Sequence, residues 1–284
     1  MKSGIRLAVP NKGRLKEPTA RLLRESGLSY ELSDRTLAAP ARNADVEILF
    51  VKAEDVCELV ADEAADLGIT GLDLAAESGL VLDIITELGY GHCRLTAAVP
   101  TGSPIKSIED FFGLRVATAH PSVTKRYFAE RGIEITTVPL RGSIEVAPKL
   151  GIADVVVDLV SSGSTMLVNG LRQVSTLLES EAALVSRPGA QKEEAIARFA
   201  TMARAVVAAR GKKYILMNAS ESSLSELSQI IPGLEAPTIM PLTEKGWVSI
   251  QSVVDADDVW TVLPRLKRAG ASGILVLPIQ QLIT

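Results

Sequence analysis

The segment ADVVVDLVSSGSTMLVNG, residues Ala153 to Gly170, sets two acids in a run of valines and follows them with hydroxyls around a glycine. Period-two alternation places Asp154, Val156 and Asp158 on one face of a strand and Val155 and Val157 on the other, so the acids share a side of the sheet. Carboxylates on one side accept hydrogen bonds from neighbouring hydroxyls. Ser161, Ser162, Gly163, Ser164 and Thr165 then stand where strand gives way to helix, and backbone N–H groups at a positive helix N-terminus suit a phosphate. A ligand with vicinal ribose hydroxyls and a 5′-phosphate uses both halves. The alternative is an ordinary strand-entry acid at Asp154 and a plain N-cap at Ser161. Asp158, which interrupts an otherwise buried run, favours the ligand.

Such residues need a scaffold of strands that end in turns. Ile5 to Val9, Val46 to Val51, Leu67 to Ile69, Val81 to Glu87, Arg94 to Val99, Arg115 to Ala119, Ile133 to Val138 and Val155 to Val160 read as strands. Amphipathic segments such as Leu15 to Ser26 and Asp55 to Ala65 separate them, which predicts an α/β fold with mainly parallel sheets. The turn-rich VPTGSPIKS stretch, around Pro100 to Pro104, suits a handover between lobes. A helical pattern from Gln191 to Arg210 precedes a tail that reads β-α-β-β-α-β, the ferredoxin-like order.

With 284 residues, 47% hydrophobic and 4% aromatic, the chain can bury a large aliphatic core in two or three units. A formal charge of −4 with interspersed signs argues against a general nucleic-acid or membrane surface and permits a local basic pocket. No apolar run approaches the roughly 20 residues of a bilayer span. Met1 to Val9 reads as a strand and not as a signal peptide, so the cytoplasm is the expected compartment. Cys57 and Cys93 stand outside any C-x-x-C pair and read as reduced packing residues. The only histidines, His92 and His120, argue against triads and imidazole-based metal sites.

The segment GSIEVAPKLGIADVVVDLVSSGSTMLVNGLRQV, with AVPNKGRL at the start and DLGITGLDL in between, resembles the ATP phosphoribosyltransferases, which catalyse the first step of histidine biosynthesis. PGLEAPTIMPL and AGASGILVLPI resemble the regulatory domain of the long form of that family. The resemblance spans nearly the whole chain. It implies an α/β, bilobal catalytic core like the type II periplasmic binding proteins, crossed twice by the chain, plus a C-terminal ferredoxin-like (βαββαβ) regulatory domain. Lobe I then takes 1–96 and 179–208, lobe II 97–178 and the regulatory domain 209–284. The implied reaction moves the 5-phosphoribosyl group of phosphoribosyl pyrophosphate to N1 of the adenine of ATP, with Mg²⁺ present and pyrophosphate released. L-histidine is the implied effector. Dimers associating into hexamers are implied too, with no separate regulatory subunit. A bilobal solute receptor and a catalytically silent regulator are the rival classes.

The resemblance also implies roles. Asp154 and Asp158 hold the ribose, Ser161 to Thr165 the 5′-phosphate, and Glu145 is an extra carboxylate nearby or, equally, part of a capping box. Lys12 and Arg14 face a triphosphate or pyrophosphate, unless they are solvated surface charges, and Lys52 and Arg94 are further anion contacts. In GITGLD, Gly68 and Gly71 turn the chain close to a nucleotide while Asp73 contacts ribose or Mg²⁺; a turn glycine with a helix-cap aspartate is the alternative. Asn218, Thr238, Ala271, Ser272 and Gly273 are the expected histidine contacts, the alternative being a strand threonine and a helix-ending turn. Because N1 is itself the nucleophile and the ribose gains oxocarbenium character, positioning and charge neutralisation carry the chemistry.

Overall fold

The structure, a computed structural model, describes residues 4–31, 36–161, 164–231, 233–234 and 236–283, with the backbone alone for Ser164 and Thr165. The chain forms two compact units, one up to Ala200 and one from Thr201. The first begins with β1 (Ile5–Pro10), α1 (Lys16–Glu25), β2 (Ala38–Pro40), β3 (Val46–Val51), α2 (Val56–Ala61), β4 (Leu67–Gly71), α3 (Leu72–Ser78) and β5 (Asp83–Glu87). It continues with β6 (Cys93–Pro100), β7 (Arg115–Thr118), α4 (Pro121–Ala129), β8 (Thr136–Pro139), β9 (Val155–Val160), α5 (Ser164–Val168), β10 (Leu171–Ser180) and β11 (Ala182–Ser186).

These strands make two sheets, ordered β2-β3-β1-β4-β11-β5 and β10-β6-β9-β7-β8. Apart from β2, both follow one plan. A central strand (β1 or β7) is flanked by two parallel neighbours, and an antiparallel strand from a crossing then separates them from an outer strand. The chain crosses between the sheets from β5 to β6 and again from β10 to β11, so the core is bilobal. The lobe borders expected at 96 and 178 fall inside β6 and β10. The sheets are mixed, which corrects the mainly parallel expectation. Strands arriving from the other lobe do so without a crossover helix and therefore enter antiparallel.

Both faces of β9 are covered. Val155 and Val157 pack with Leu95, Phe111 and Phe128, while Val156 and Val160 pack with Ile144 and Met166. A strand sandwiched in this way must be apolar on both sides, hence the valine run, and a carboxylate within it stands out. Cys57 and Cys93 are buried and unpaired, and burial pushes the Cys57 thiol up to about 11, out of the reactive range. Among the described residues no helix is long and apolar enough to cross a membrane.

Across the division between units runs α6 (Glu194–Ala209), followed by β12 (Lys212–Ser220), α7 (Leu224–Ile230), β13 (Thr238–Pro241), β14 (Trp247–Asp255), α8 (Val259–Arg268) and β15 (Ser272–Pro278). The order β13-β14-β12-β15, antiparallel throughout, is the ferredoxin-like arrangement expected for the tail. Alternate residues of β12 (Ile215, Met217, Ala219) form a core with Leu227 of α7 and Leu266 of α8.

Candidate active site

A cleft of about 1070 Å³ opens between the lobes of the first unit. Lys12, Arg14, Lys52 and Asp73 line it from the first lobe, His120 and Arg141 from the second. Lys12 and Arg14 follow β1, Lys52 follows β3, Asp73 follows β4 and His120 follows β7. The wall is thus built from the carboxyl ends of parallel strands, where open α/β sheets bind ligands.

Asp73 is the hub, with its side chain only 2% exposed. Oδ1 accepts hydrogen bonds from Ser180 Oγ at 2.5 Å and Arg14 Nη2 at 3.2 Å, and Oδ2 lies 3.3 Å from His120 Nε2. The backbone N–H of Asp73 donates to the same Ser180 Oγ at 2.9 Å. Burial opposes ionisation, but the hydrogen bonds from His120 and Ser180 and the charge of Arg14 outweigh it, so the carboxyl lies below its usual value. An ionised Asp73 makes Nε2 the donor of that contact, and among the described residues the buried Nδ1 of His120 meets no hydrogen-bond partner. Gly71, buried at the end of β4, has an ordinary φ of −82°, but a Cβ there would stand 2.2 Å from Asp73 Oδ1. Its glycine makes room for the hub carboxylate. At Gly68 a Cβ would meet Val56 at 2.4 Å, so that glycine serves helix-to-sheet packing.

Asp158 lies half-buried near the end of β9. Burial raises its carboxyl and the nearby Glu145 charge adds to this, against a 2.8 Å hydrogen bond from the Leu159 N–H and the charge of His120. Glu145 sits on a single helical turn, Ile144–Val146, whose preceding Ser143 makes no side-chain cap, so the capping-box alternative is not what the fold uses. Asp154 belongs elsewhere. It precedes β9 and accepts two hydrogen bonds from the Arg115 guanidinium, at 2.9 and 3.2 Å, and one from the Arg115 N–H at 2.8 Å. These bonds, led by the side-chain pair, hold it below its usual value. Four residues of extended strand, roughly 13 Å, part it from Asp158, too far for both to grip one ribose. The shared-ribose reading of Asp154 is therefore corrected to a structural pair.

Ser161 and Arg94 line a different hollow, of about 440 Å³, beside the crossing strands with His92, Glu179 and Glu181, so Arg94 is not brought to the main cleft. Ser162 and Gly163 lie outside the described residues. At Ser164 α5 begins. Asp73, expected as a Mg²⁺ ligand, has both oxygens engaged by protein donors, and no group of three or more His, Cys, Asp or Glu among the described residues is arranged to hold a metal. The described residues do not form a protein cage for Mg²⁺.

In the second unit, Asn218 on β12 meets Ser272 and Gly273. Ser272 Oγ donates to the Asn218 carbonyl at 3.3 Å, and a Cβ on Gly273, whose φ is +58°, would stand 3.6 Å from Asn218 Nδ2. Thr238 is two strands away, roughly 10 Å, opposite Gln251 and not Ser249, the β14 partner of Asn218. Ala271 is buried in the core and its N–H donates to the Leu266 carbonyl, so it offers no exposed amide; it closes α8 as the helix-ending alternative has it.

His120, Ser180 and Arg141 escaped the sequence reading. For His120 a signal exists: ATAHPS follows the central strand of one sheet as PNKGR follows that of the other.

Comparisons with known proteins fit this geometry. The family model described as ATP phosphoribosyltransferase matches residues 52–205, and the model of that family's C-terminal domain matches 209–281. The ATP phosphoribosyltransferase of Cytophaga hutchinsonii is 38% identical over 100% of both chains, and that of Methanococcoides burtonii 42% identical over 98% of this chain and 99% of its own. A solved chain from an ATP phosphoribosyltransferase complex of two proteins from Thermotoga maritima superposes with a TM-score of 0.63 at 27% identity. That superposition covers 72% of this chain and 98% of the solved one.

Proposed function

The chain belongs to the ATP phosphoribosyltransferase family, and from that membership we propose that it transfers the 5-phosphoribosyl group of phosphoribosyl pyrophosphate to N1 of ATP, releasing pyrophosphate, as the first step of L-histidine biosynthesis. The observation that carries the reading is an interlobe cleft with cations on one wall and a half-buried carboxylate, Asp158, near the other. Lys12, Arg14 and Lys52 neutralise the triphosphate and the departing pyrophosphate, and Asp158 accepts hydrogen bonds from the ribose hydroxyls. The 5′-phosphate is assigned to the Ser161 to Thr165 segment that follows β9. Adenine N1 attacks without a protein nucleophile, so alignment across the cleft supplies most of the rate. Mg²⁺ enters with the substrates' phosphates, and no residue is assigned to it. Mixing protein, ATP, phosphoribosyl pyrophosphate and Mg²⁺ is expected to release pyrophosphate only when both substrates are present. No release at all would leave a binding protein or a silent regulator, and release from phosphoribosyl pyrophosphate alone would mean hydrolysis of the donor.

Because Gly71 makes room for the Asp73 carboxylate, Gly71→Ala is expected to cut kcat/KM roughly 10- to 100-fold by displacing Asp73 from Ser180 and Arg14. Steady-state kinetics on variant with native circular dichroism checks this.

The tail carries the regulation in this reading. The match of residues 209–281 to the family's C-terminal domain model supports placing it there. L-histidine binds at Asn218, Ser272 and Gly273. Asn218→Ala is expected to raise the histidine concentration for half-inhibition about fivefold, the worth of one neutral hydrogen bond, with uninhibited activity intact. An inhibition curve superimposable on that of the unaltered chain would move the effector site. The edge strand β15 exposes Leu275 and Leu277, 53% and 46% accessible, a surface suited to pairing between copies and in keeping with dimers and hexamers.

A further inference from the structure

Asp73 and Glu77 stand one turn apart on α3, so both carboxylates leave the same face of that helix. Both cross to α4 in the other lobe. Asp73 meets His120, the residue before α4, while Glu77 Oε1 accepts the Ser122 N–H and Oε2 the Val123 N–H, each at 2.9 Å. The first N–H groups of a helix have no partner within it. Pro121 opens α4 and has none to offer, and His120 makes no side-chain cap; its own N–H donates to Thr118 Oγ1 at 2.9 Å. The Thr124 N–H is the first to find a carbonyl one turn back, that of His120. The cap of α4 therefore comes from the opposite lobe, as a carboxylate at the positive end of the helix.

We propose that Glu77 is a positioning residue, a helix cap delivered across the cleft that clasps the second lobe onto the first and holds His120 against Asp73. Parting the lobes breaks both of its hydrogen bonds together with the Asp73–His120 contact. Removing Glu77 lowers the closed fraction, and affinity falls by that fraction, whereas bound substrates reclose the cleft and preserve turnover. The kinetic consequence rests on the phosphoribosyl-transfer reading; the clasp itself does not.

The experiment is residue-resolved amide hydrogen exchange on the full chain, without substrates, comparing the unaltered protein with Glu77→Ala and Glu77→Gln. The Ser122 and Val123 amides are expected to be protected by Glu77 and to exchange about tenfold faster or more in Glu77→Ala, with mid-helix Tyr127 and Phe128 unchanged. Glu77→Gln, whose amide oxygen still accepts, falls between them and carries the test should Glu77→Ala not fold. In the same variants KM is expected to rise about tenfold with kcat within a factor of about three. Equal exchange at Ser122 and Val123 in all three proteins overturns the clasp. So does an unchanged KM once those amides are deprotected, or tighter binding of inorganic phosphate by Glu77→Ala, which would make Glu77 the occupant of an anion site. A protein that transfers no phosphoribosyl group fails the functional reading alone, since exchange still reports on the clasp.

Discussion

Asp158→Asn is expected to melt at a higher temperature than the unaltered chain while binding phosphoribosyl pyrophosphate about 10- to 100-fold more weakly. Burial, aided by the Glu145 charge, raises the Asp158 carboxyl above its ordinary value despite the Leu159 N–H and His120. When the folded value lies above the unfolded one, of about 3.9, the contribution to stability is fully present below the unfolded value and is lost as pH rises through the folded one. At neutral pH an ionised Asp158 therefore weighs against folding, and the amide removes that cost. What the amide lacks is the charge that strengthens bonds from the ribose hydroxyls. Thermal unfolding at neutral pH together with KM for phosphoribosyl pyrophosphate checks both halves. A lower melting temperature with unchanged KM would make Asp158 a structural residue.

Asp73→Asn carries the opposite sign. Its folded carboxyl lies below the unfolded value, so the stabilisation is present above the unfolded value and is lost as pH falls through the folded one. The asparagine is expected to cost on the order of 3 kcal/mol at neutral pH, because Arg14 loses its counter-charge and His120 and Ser180 lose a charged acceptor inside the protein. That difference should shrink in acid, where the unaltered chain loses the same contribution. Activity is expected to fall at least about 100-fold, since the residue orders groups from both lobes and the crossing strand. Urea unfolding at neutral and acid pH, with kinetics on the folded variant, measures this. A stability difference that grows in acid would contradict the assignment.

These two carboxylates also illustrate what a sequence discloses. Asp158 stands out in the sequence because β9 is covered on both faces, which makes a charge in its valine run unusual. The same parity rule misled at Asp154, since alternation identifies a face but not which end of the strand meets the ligand. Arg115, its partner, lies 39 residues earlier, beyond any local pattern. Likewise the contacts of Asp73 with His120 and Ser180 span 47 and 107 residues, so only the fold assembles the hub. Strands β3 and β9 were read at their observed limits from apolar runs. By contrast, β10 is half-exposed and its register shifts between Gln173 and Ser175 and between Thr176 and Leu178, which breaks the alternation that would reveal it. Only Glu181 separates it from β11, hiding the second crossing in what reads as one irregular stretch. Helix α2 stops at Ala61, short of the expected Ala65, and the chain then takes a positive φ of 56° at Glu63.

The central claim is that the chain forms a bond between the ribose anomeric carbon and adenine N1. The most direct measurement uses ATP labelled with ¹⁵N at N1 and phosphoribosyl pyrophosphate labelled with ¹³C at the anomeric carbon, incubated with the full chain and Mg²⁺ and followed by nuclear magnetic resonance. A one-bond ¹⁵N–¹³C coupling that appears in step with pyrophosphate is the expected result. Pyrophosphate accompanied by labelled ribose 5-phosphate and no such coupling would mean that the cleft merely hydrolyses the donor, and would contradict the account.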